Sequence, residues 1–416
     1  MKILIKNIKQ LVQTEEQPQL KISGLQMKNL GCINNAWLAI ENDKIVDFGT
    51  MDEWGGITDW SDLKIIDASD KLVLPCYCDS HTHLVYAGSR EGEFVDRING
   101  LSYEQIFESG GGILNSAKKI QDTSEEALIE MSLNRLNEIM LQGTGAVEIK
   151  SGYGLSIEGE LKMLRVIKKL KTLSPLTIKA TFLGAHAFPK EYQTEKRKYI
   201  NLIINEMMPT IAAEKLADYC DVFCEENYFS PEDTYEILTA AKKNGMLPKV
   251  HAEQLSNYGG TLAGIKSGAV SVDHLEYVGE KEIEALKNSD TMPTILPGAA
   301  FFLNLPFPPA RKMIDAGLPL AIASDYNPGS SPSGNINLMM AIACIQYKLT
   351  PEEALNACTI NSAYAMGLSK THGSIAIGKQ ANVFITKEIP NYAYIPYSFG
   401  SNLIETVIIN GKILKN

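Results

Sequence analysis

The chain has 416 residues, 45% hydrophobic and 21% charged. This is an ordinary globular composition: it excludes a disordered chain and supplies enough apolar side chains for a sizeable core. Thirty-nine basic against 49 acidic residues leave a formal charge of −10, which argues against nucleic acid or an anionic membrane as the main partner, and no apolar run approaches the roughly 20 residues of a membrane span.

The first ~70 residues read as short strands and turns. MKILIKNI alternates apolar residues with lysine, reading as a strand and not a signal peptide. AWLAI and KIVDFG flank Glu41-Asn42-Asp43, a hairpin pattern. The last ~45 residues read the same way, with Asn410-Gly411 as a strong hairpin turn in LIETVIINGKIL. Neither end can close a good core alone, so residues 1–71 plus 367–416 are expected to form one small, sandwich-like β domain.

Residues 72–366 alternate apolar runs with helical stretches, the signature of βα units around a parallel sheet. The strand candidates are 72–79, 146–150, 178–186, 219–225, 247–251, 270–274, 292–296 and 318–325. Eight such runs match an α/β fold of the (β/α)8 TIM-barrel type. Helix starts are marked by Ser124, by Ser230-Pro231-Glu232-Asp233 and by Thr350-Pro351-Glu352-Glu353, which pair a capping hydroxyl with acids in the first turn. Leu161, Leu164, Ile167 and Leu170 form a helical apolar stripe suited to packing on the sheet.

Seven scattered cysteines, an odd number, point to a reduced cytosolic protein. The close pairs Cys76/Cys78 and Cys220/Cys224 lie in apolar runs without C-x-x-C spacing and read as small buried hydrophobes.

Of six histidines, His81, His83, His186, His251 and His274 fall at the C-terminal ends of strand candidates. In a parallel barrel those ends converge on the mouth where active sites are built. His81-Thr82-His83 places two imidazoles on one side of a strand, the start of a divalent-metal site. Alone, H-x-H is a weak motif; its position strengthens it. His251 is a natural third ligand, and Asp325, closing LAIASD, is a fourth, though an Asp in Asp-Tyr-Asn-Pro-Gly can equally cap a turn. A bound carboxylate can also take a proton from an activated water. His274 suits an oxyanion contact or proton shuttle, or a histidine satisfied by backbone; His186 suits substrate binding or loop orientation. His372, in a Gly-bounded loop, reads as surface. The fourth strand run ends in Asp-Val-Phe-Cys-Glu-Glu with no lysine to bridge two metals, which argues for one ion. Lys150 then reads as a packing or charge-balancing residue.

These residues resemble the amidohydrolase superfamily. Nine stretches carry the resemblance over nearly the whole chain: HTHLVYAGSREGEF, SYEQIFESGGGI, EIKSGYGL, TFLGAHAFP, DVFCEE, KVHAEQLSN, SVDHLEY, LPGAAFFL and SDYNPGSSP. Within the superfamily they are similar to the branch of histidine breakdown that hydrolyses 4-imidazolone-5-propanoate to N-formimidoyl-L-glutamate. The resemblance implies one zinc or iron ion held by His81, His83, His251 and Asp325. It implies His274, Asp325 and Gln254 for catalysis, and a pocket of Arg90, Tyr153, His186, Gln254, Asn327, Gly329 and Ser330, with Tyr103 as a further member. It also implies a homodimer acting on a small anionic substrate. One departure is Gln254 where the branch carries Glu: an amide can hydrogen-bond the ring but cannot act as a general base. Physical chemistry supports the pocket independently, because a guanidinium such as Arg90 can hold a carboxylate bidentately, or else pair with Glu91 or Glu93. The glycines beside Tyr153 let backbone approach a ligand, and the 327–331 loop offers N–H groups to a carboxylate. The competing readings are another amidohydrolase acting on a different ring and, far behind, a non-catalytic barrel.

Overall fold

The computed structural model describes residues 1–56, 61–101, 105 and 111–414. The first predicted strand run is shared by two sheets. β5 (Lys71–Pro75) ends and β6 (Tyr77–Thr82) begins with a single residue between them. Cys76 N–H donates to Asn382 O at 2.9 Å and Tyr77 N–H to Gly143 O at 2.9 Å. The chain therefore passes from one sheet to the other within one peptide unit.

The first sheet contains β1 (Lys2–Val12), β2 (Cys32–Glu41), β3 (Lys44–Thr50), β4 (Leu63–Asp67), β5, β14 (Val383–Glu388), β15 (Ile404–Ile409) and β16 (Lys412–Leu414). One edge of β1 pairs with β2; the other takes β4 along Lys2–Lys6 and β5 along Gln10–Leu11. The sheet curls around its own core, bringing Ile5, Leu38, Ile45, Val73, Val383 and Ile408 into one cluster. Both expected hairpins form. The Asn410-Gly411 turn has positive φ at both residues, the geometry that Asn-Gly tolerates best.

The second sheet runs β6, β7 (Thr144–Lys150), β8 (Thr177–Ala185), β9 (Tyr219–Cys224), β10 (Leu247–Ala252), β11 (Ser271–His274), β12 (Met292–Ile295) and β13 (Ala321–Ile322), each parallel to the next. Every residue of β6, β7 and β9 is buried, as in parallel strands covered on both faces. The last run, expected over 318–325, forms only a two-residue ladder, and Asp325 beyond it turns into the left-handed region at φ 53°. The barrel closes there through Asp325 N–H to His81 O and His83 N–H to Tyr326 O, both 3.0 Å.

The helices begin where the caps indicate. Ser124, Ser230 and Thr350 cap helices Glu125–Leu141, Pro231–Lys243 and Pro351–Asn356, the last two with full capping boxes. The Leu161/Leu164/Ile167/Leu170 stripe is buried within helix Ile157–Leu173. All seven cysteines are free and five are buried. No helix among the described residues is long and apolar enough to cross a membrane. The expectation of a surface His372 is corrected: it is buried between β8 and the terminal sheet, with Nε2 3.0 Å from Thr177 Oγ1 and Nδ1 2.8 Å from Thr371 Oγ1. Its loop is drawn inward because the chain must return there from the barrel to β14.

Candidate metal and substrate site

His81 sits inside β6 and His83 one residue beyond it, so strand alternation turns both rings the same way. The seam adds Asp325, whose Oδ1 lies 3.6 Å from both His81 Nε2 and His83 Nε2. β10 adds His251, with Nε2 3.4 Å from His83 Nε2 and its ring centroid 4.4 Å from that of His81. His81, His83 and Asp325 offer one donor atom each within 4.8 Å of one another, and so do His81, His251 and His274. Burial, reinforced by Lys150 and neighbouring imidazoles, pushes the His81 pKa well below the usual histidine value; burial and His186 do the same for His83. Both rings are therefore neutral, the form that ligates a metal. His81 Nε2 is buried with no hydrogen-bond partner in the protein, a costly state for a nitrogen lone pair. That nitrogen, with two further imidazoles and a carboxylate gathered beside it, fits a zinc- or iron-type cation.

His274 faces the same space from β11, at φ 90°, with Nδ1 3.6 Å from Glu276 Oε1. Burial opposes its protonation, but Glu276 and Asp325 outweigh this and its pKa rises. Burial raises the pKa of Asp325, with His274 and His251 opposing.

Above the donors lies a partly open pocket. Its wall includes Arg90, Tyr153, His186, Gln254, Asn327, Gly329 and Ser330, gathered from loops after β6, β7, β8, β10 and β13. Tyr103 lies outside the described residues. Among the described lining residues Arg90 is the only fixed cation; it pairs with Glu93 at 2.8 Å, and its guanidinium lies against Gly329. His186 stacks on His83 at 5.2 Å between centroids and hydrogen-bonds Gly152 O through Nδ1 at 2.9 Å. Burial and His251 lower its pKa to about 3. The expectation that the 327–331 loop offers its N–H groups to substrate is corrected for two of them. Gly329 N–H and Ser330 N–H both donate to Asn327 Oδ1 at 2.8 Å, because Asn closes the turn on itself. What remains nearby is Ser330 Oγ, which donates to Asp325 Oδ2 at 3.1 Å.

Sequence reasoning missed the apolar walls Ile113, Phe223, Leu255 and Leu303 and the carboxylates that hold the loops. Glu160 accepts N–H groups from Gly152, Gly154 and Leu155 around Tyr153. Glu225 accepts from Leu255 N–H, next to Gln254, and from the Ser256 hydroxyl. Asp273 Oδ2 lies 2.7 Å from His81 Nδ1, and Asp221 Oδ2 lies 3.0 Å from His251 Nδ1. The signal for Asp221 was available: an acid inside an otherwise apolar strand, as in YCDVFC, needs a buried partner.

A family model described as "Amidohydrolase family" matches residues 72–414. The chain is 58% identical to the imidazolonepropionase of Christiangramia forsetii over 100% of both chains. It is 59% identical to that of Flavobacterium johnsoniae over 99% of both, and 41% identical to that of Geobacillus kaustophilus over 100% of this chain and 98% of the relative. Among solved structures, an Arthrobacter aurescens atrazine chlorohydrolase mutant complexed with zinc and atraton superposes with a TM-score of 0.72 at 15% identity, covering 99% and 95% of the two chains. A Xanthomonas campestris adenosine deaminase with bound zinc gives 0.69 at 16% identity, covering 99% and 92%. At these identities the structural likeness speaks to the fold.

Proposed function

Since the chain belongs to the amidohydrolase family, and within it to the imidazolonepropionases, we infer that it hydrolyses the cyclic amide of 4-imidazolone-5-propanoate to N-formimidoyl-L-glutamate in histidine degradation. The observation that carries this reading is a fixed cation, Arg90, on the wall of a cavity whose floor is three imidazoles and a carboxylate.

His81, His83, His251 and Asp325 would hold one ion, zinc or iron. Once bound, it supplies Lewis-acid polarisation of the ring carbonyl and acidifies a water. The chain's own groups do the rest. The Arg90 guanidinium receives the propionate of the substrate. Tyr153 and His186 flank the ring, and Gln254 hydrogen-bonds it without taking a proton. Water adds to the ring carbonyl carbon as Asp325 accepts its proton. His274 hydrogen-bonds the oxygen that gains charge. The carbon–nitrogen bond then breaks, and the leaving ring nitrogen takes the proton back from Asp325.

An assay panel tests the assignment: imidazolonepropanoate, the same ring without its propionate, and neutral nucleobases. Turnover is expected on the first and little on the others. Equal turnover of the unsubstituted ring, or preference for a nucleobase, would overturn the substrate. Elemental analysis of the purified enzyme separates zinc from iron.

A further inference from the structure

Beneath the four donors lies a buried ionic layer that the reaction does not use. Lys150, on β7, is fully buried. Its Nζ lies 2.7 Å from Glu148 Oε1, 2.7 Å from Asp221 Oδ2 and 3.7 Å from Asp273 Oδ2. The same two aspartate oxygens face the imidazoles: Asp273 Oδ2 is 2.7 Å from His81 Nδ1, and Asp221 Oδ2 is 3.0 Å from His251 Nδ1. Asp221 Oδ1 also accepts the backbone N–H of His251 at 3.1 Å. Glu148 is held in turn by Lys249 and by Thr181 Oγ1 at 2.7 Å. The order across the barrel is thus imidazole, carboxylate, ammonium, carboxylate, imidazole, with the outward nitrogens of both rings facing the donor cluster.

We propose that Lys150 is a positioning residue for the metal centre: its one ammonium ties Asp221 to Asp273 and, through them, fixes His81 and His251 with Nδ1 protonated and Nε2 presented to the ion. A carboxylate behind a ligating imidazole sets its tautomer and its ring orientation. Two such carboxylates facing each other in a dry interior repel unless a cation lies between them. Lys150 supplies that cation from β7, a strand that contributes no ligand, so the two imidazoles are oriented before any ion arrives. The inference rests on the four-donor metal site proposed above.

Two measurements test it. In the metal-free wild-type protein, histidine-selective nitrogen NMR should find both His81 and His251 as the Nδ1–H tautomer; either ring protonated at Nε2 instead would overturn the proposal. In the metal-loaded protein, Lys150→Met should release its ion to a chelator roughly 10- to 100-fold faster than wild type, and adding Asp273→Asn to it should change the rate by far less than the product of the single effects. Wild-type release from Lys150→Met, or multiplicative effects of the two changes, would overturn it. Should Lys150→Met fail to fold, the tautomer measurement decides alone. A wild-type protein that binds no ion would instead defeat the metal site itself.

Discussion

The backbone N–H of Asp325 donates to the carbonyl oxygen of His81 at 3.0 Å, joining the last strand of the barrel to the first at the point where both offer a candidate metal donor. Residues 244 positions apart in the chain thereby become neighbours through main chain alone. Tyr326 O reinforces the join by accepting from His83 N–H at 3.0 Å, and Ser324, the residue before Asp325, donates both N–H and Oγ to Asp79. The seam does not depend on the Asp325 carboxylate, so its chemistry can be altered without opening the barrel.

His274 gives the sharpest separation of chemistry from metal binding. At φ 90° most side chains are strained, but Asn is among the residues most tolerant of positive φ, so His274→Asn is the replacement of choice. Turnover should fall by roughly 10²–10⁴, with metal content by elemental analysis near that of wild type. Loss of the ion in step with activity would make His274 a ligand and remove it from the oxyanion.

Arg90 and Gly329 act as a pair. Arg90→Met should lower kcat/KM on the carboxylated substrate by about 10- to 150-fold, the worth of about 1.5–3 kcal/mol of charge-assisted hydrogen bonding, chiefly through KM. A Cβ on residue 329 would overlap the guanidinium of Arg90, so Gly329→Ala should weaken the same substrate without touching the metal donors. Steady-state kinetics on both variants is the check, and unchanged KM in both would take the propionate away from Arg90.

Glu160 supports the Tyr153 loop from beneath. Its Oε1 accepts from Gly154 and Leu155 N–H at 2.7 and 3.0 Å, and its Oε2 from Gly152 N–H at 3.1 Å. Glu160→Gln turns one acceptor into an NH2 that faces an N–H. Stability should fall by about 1–3 kcal/mol and KM should rise as Tyr153 shifts. Denaturant melts and kinetics measure the two effects, and a variant unchanged in both would show the loop to be held by other contacts.

These cases mark what the chain disclosed beforehand. Most of the barrel strands were legible as apolar runs, several ending in His or Asp where a hydrophobic pattern would not place one; β6, YCDSHT, was read as one run with β5 because a single residue separates them. That position is what marked His81, His83, His251 and Asp325 as candidate donors. The supporting groups were not legible, because they depend on which backbone atoms a fold brings together. Asn327 closing on Gly329 and Ser330 is a matter of turn geometry. Glu225 reaches residues 30 positions away, and the burial of His372 depends on how the two sheets meet.

His372 makes that last contact measurable as a dependence on pH. Burial, with Lys379, Lys44 and Lys179 nearby, depresses its pKa from 6.5 to about 4. The folded protein therefore keeps this ring neutral at pH values where the unfolded chain protonates it. Between about pH 6.5 and 4 the unfolded state binds the extra proton, so stability is full above 6.5 and is lost as pH falls toward 4. At about 1.4 kcal/mol per pKa unit, the loss approaches about 3 kcal/mol, an upper figure for a group so close to other charges. His372→Gln cannot titrate. Chemical unfolding of both proteins at pH 7 and pH 4.5 should show the wild type losing about 2–3 kcal/mol more than the variant. Taking the difference cancels what the two share, including loss of the ion in acid. Parallel losses would mean that His372 is protonated in the folded protein well above pH 4, and that its bonds to Thr177 and Thr371 do not hold it neutral.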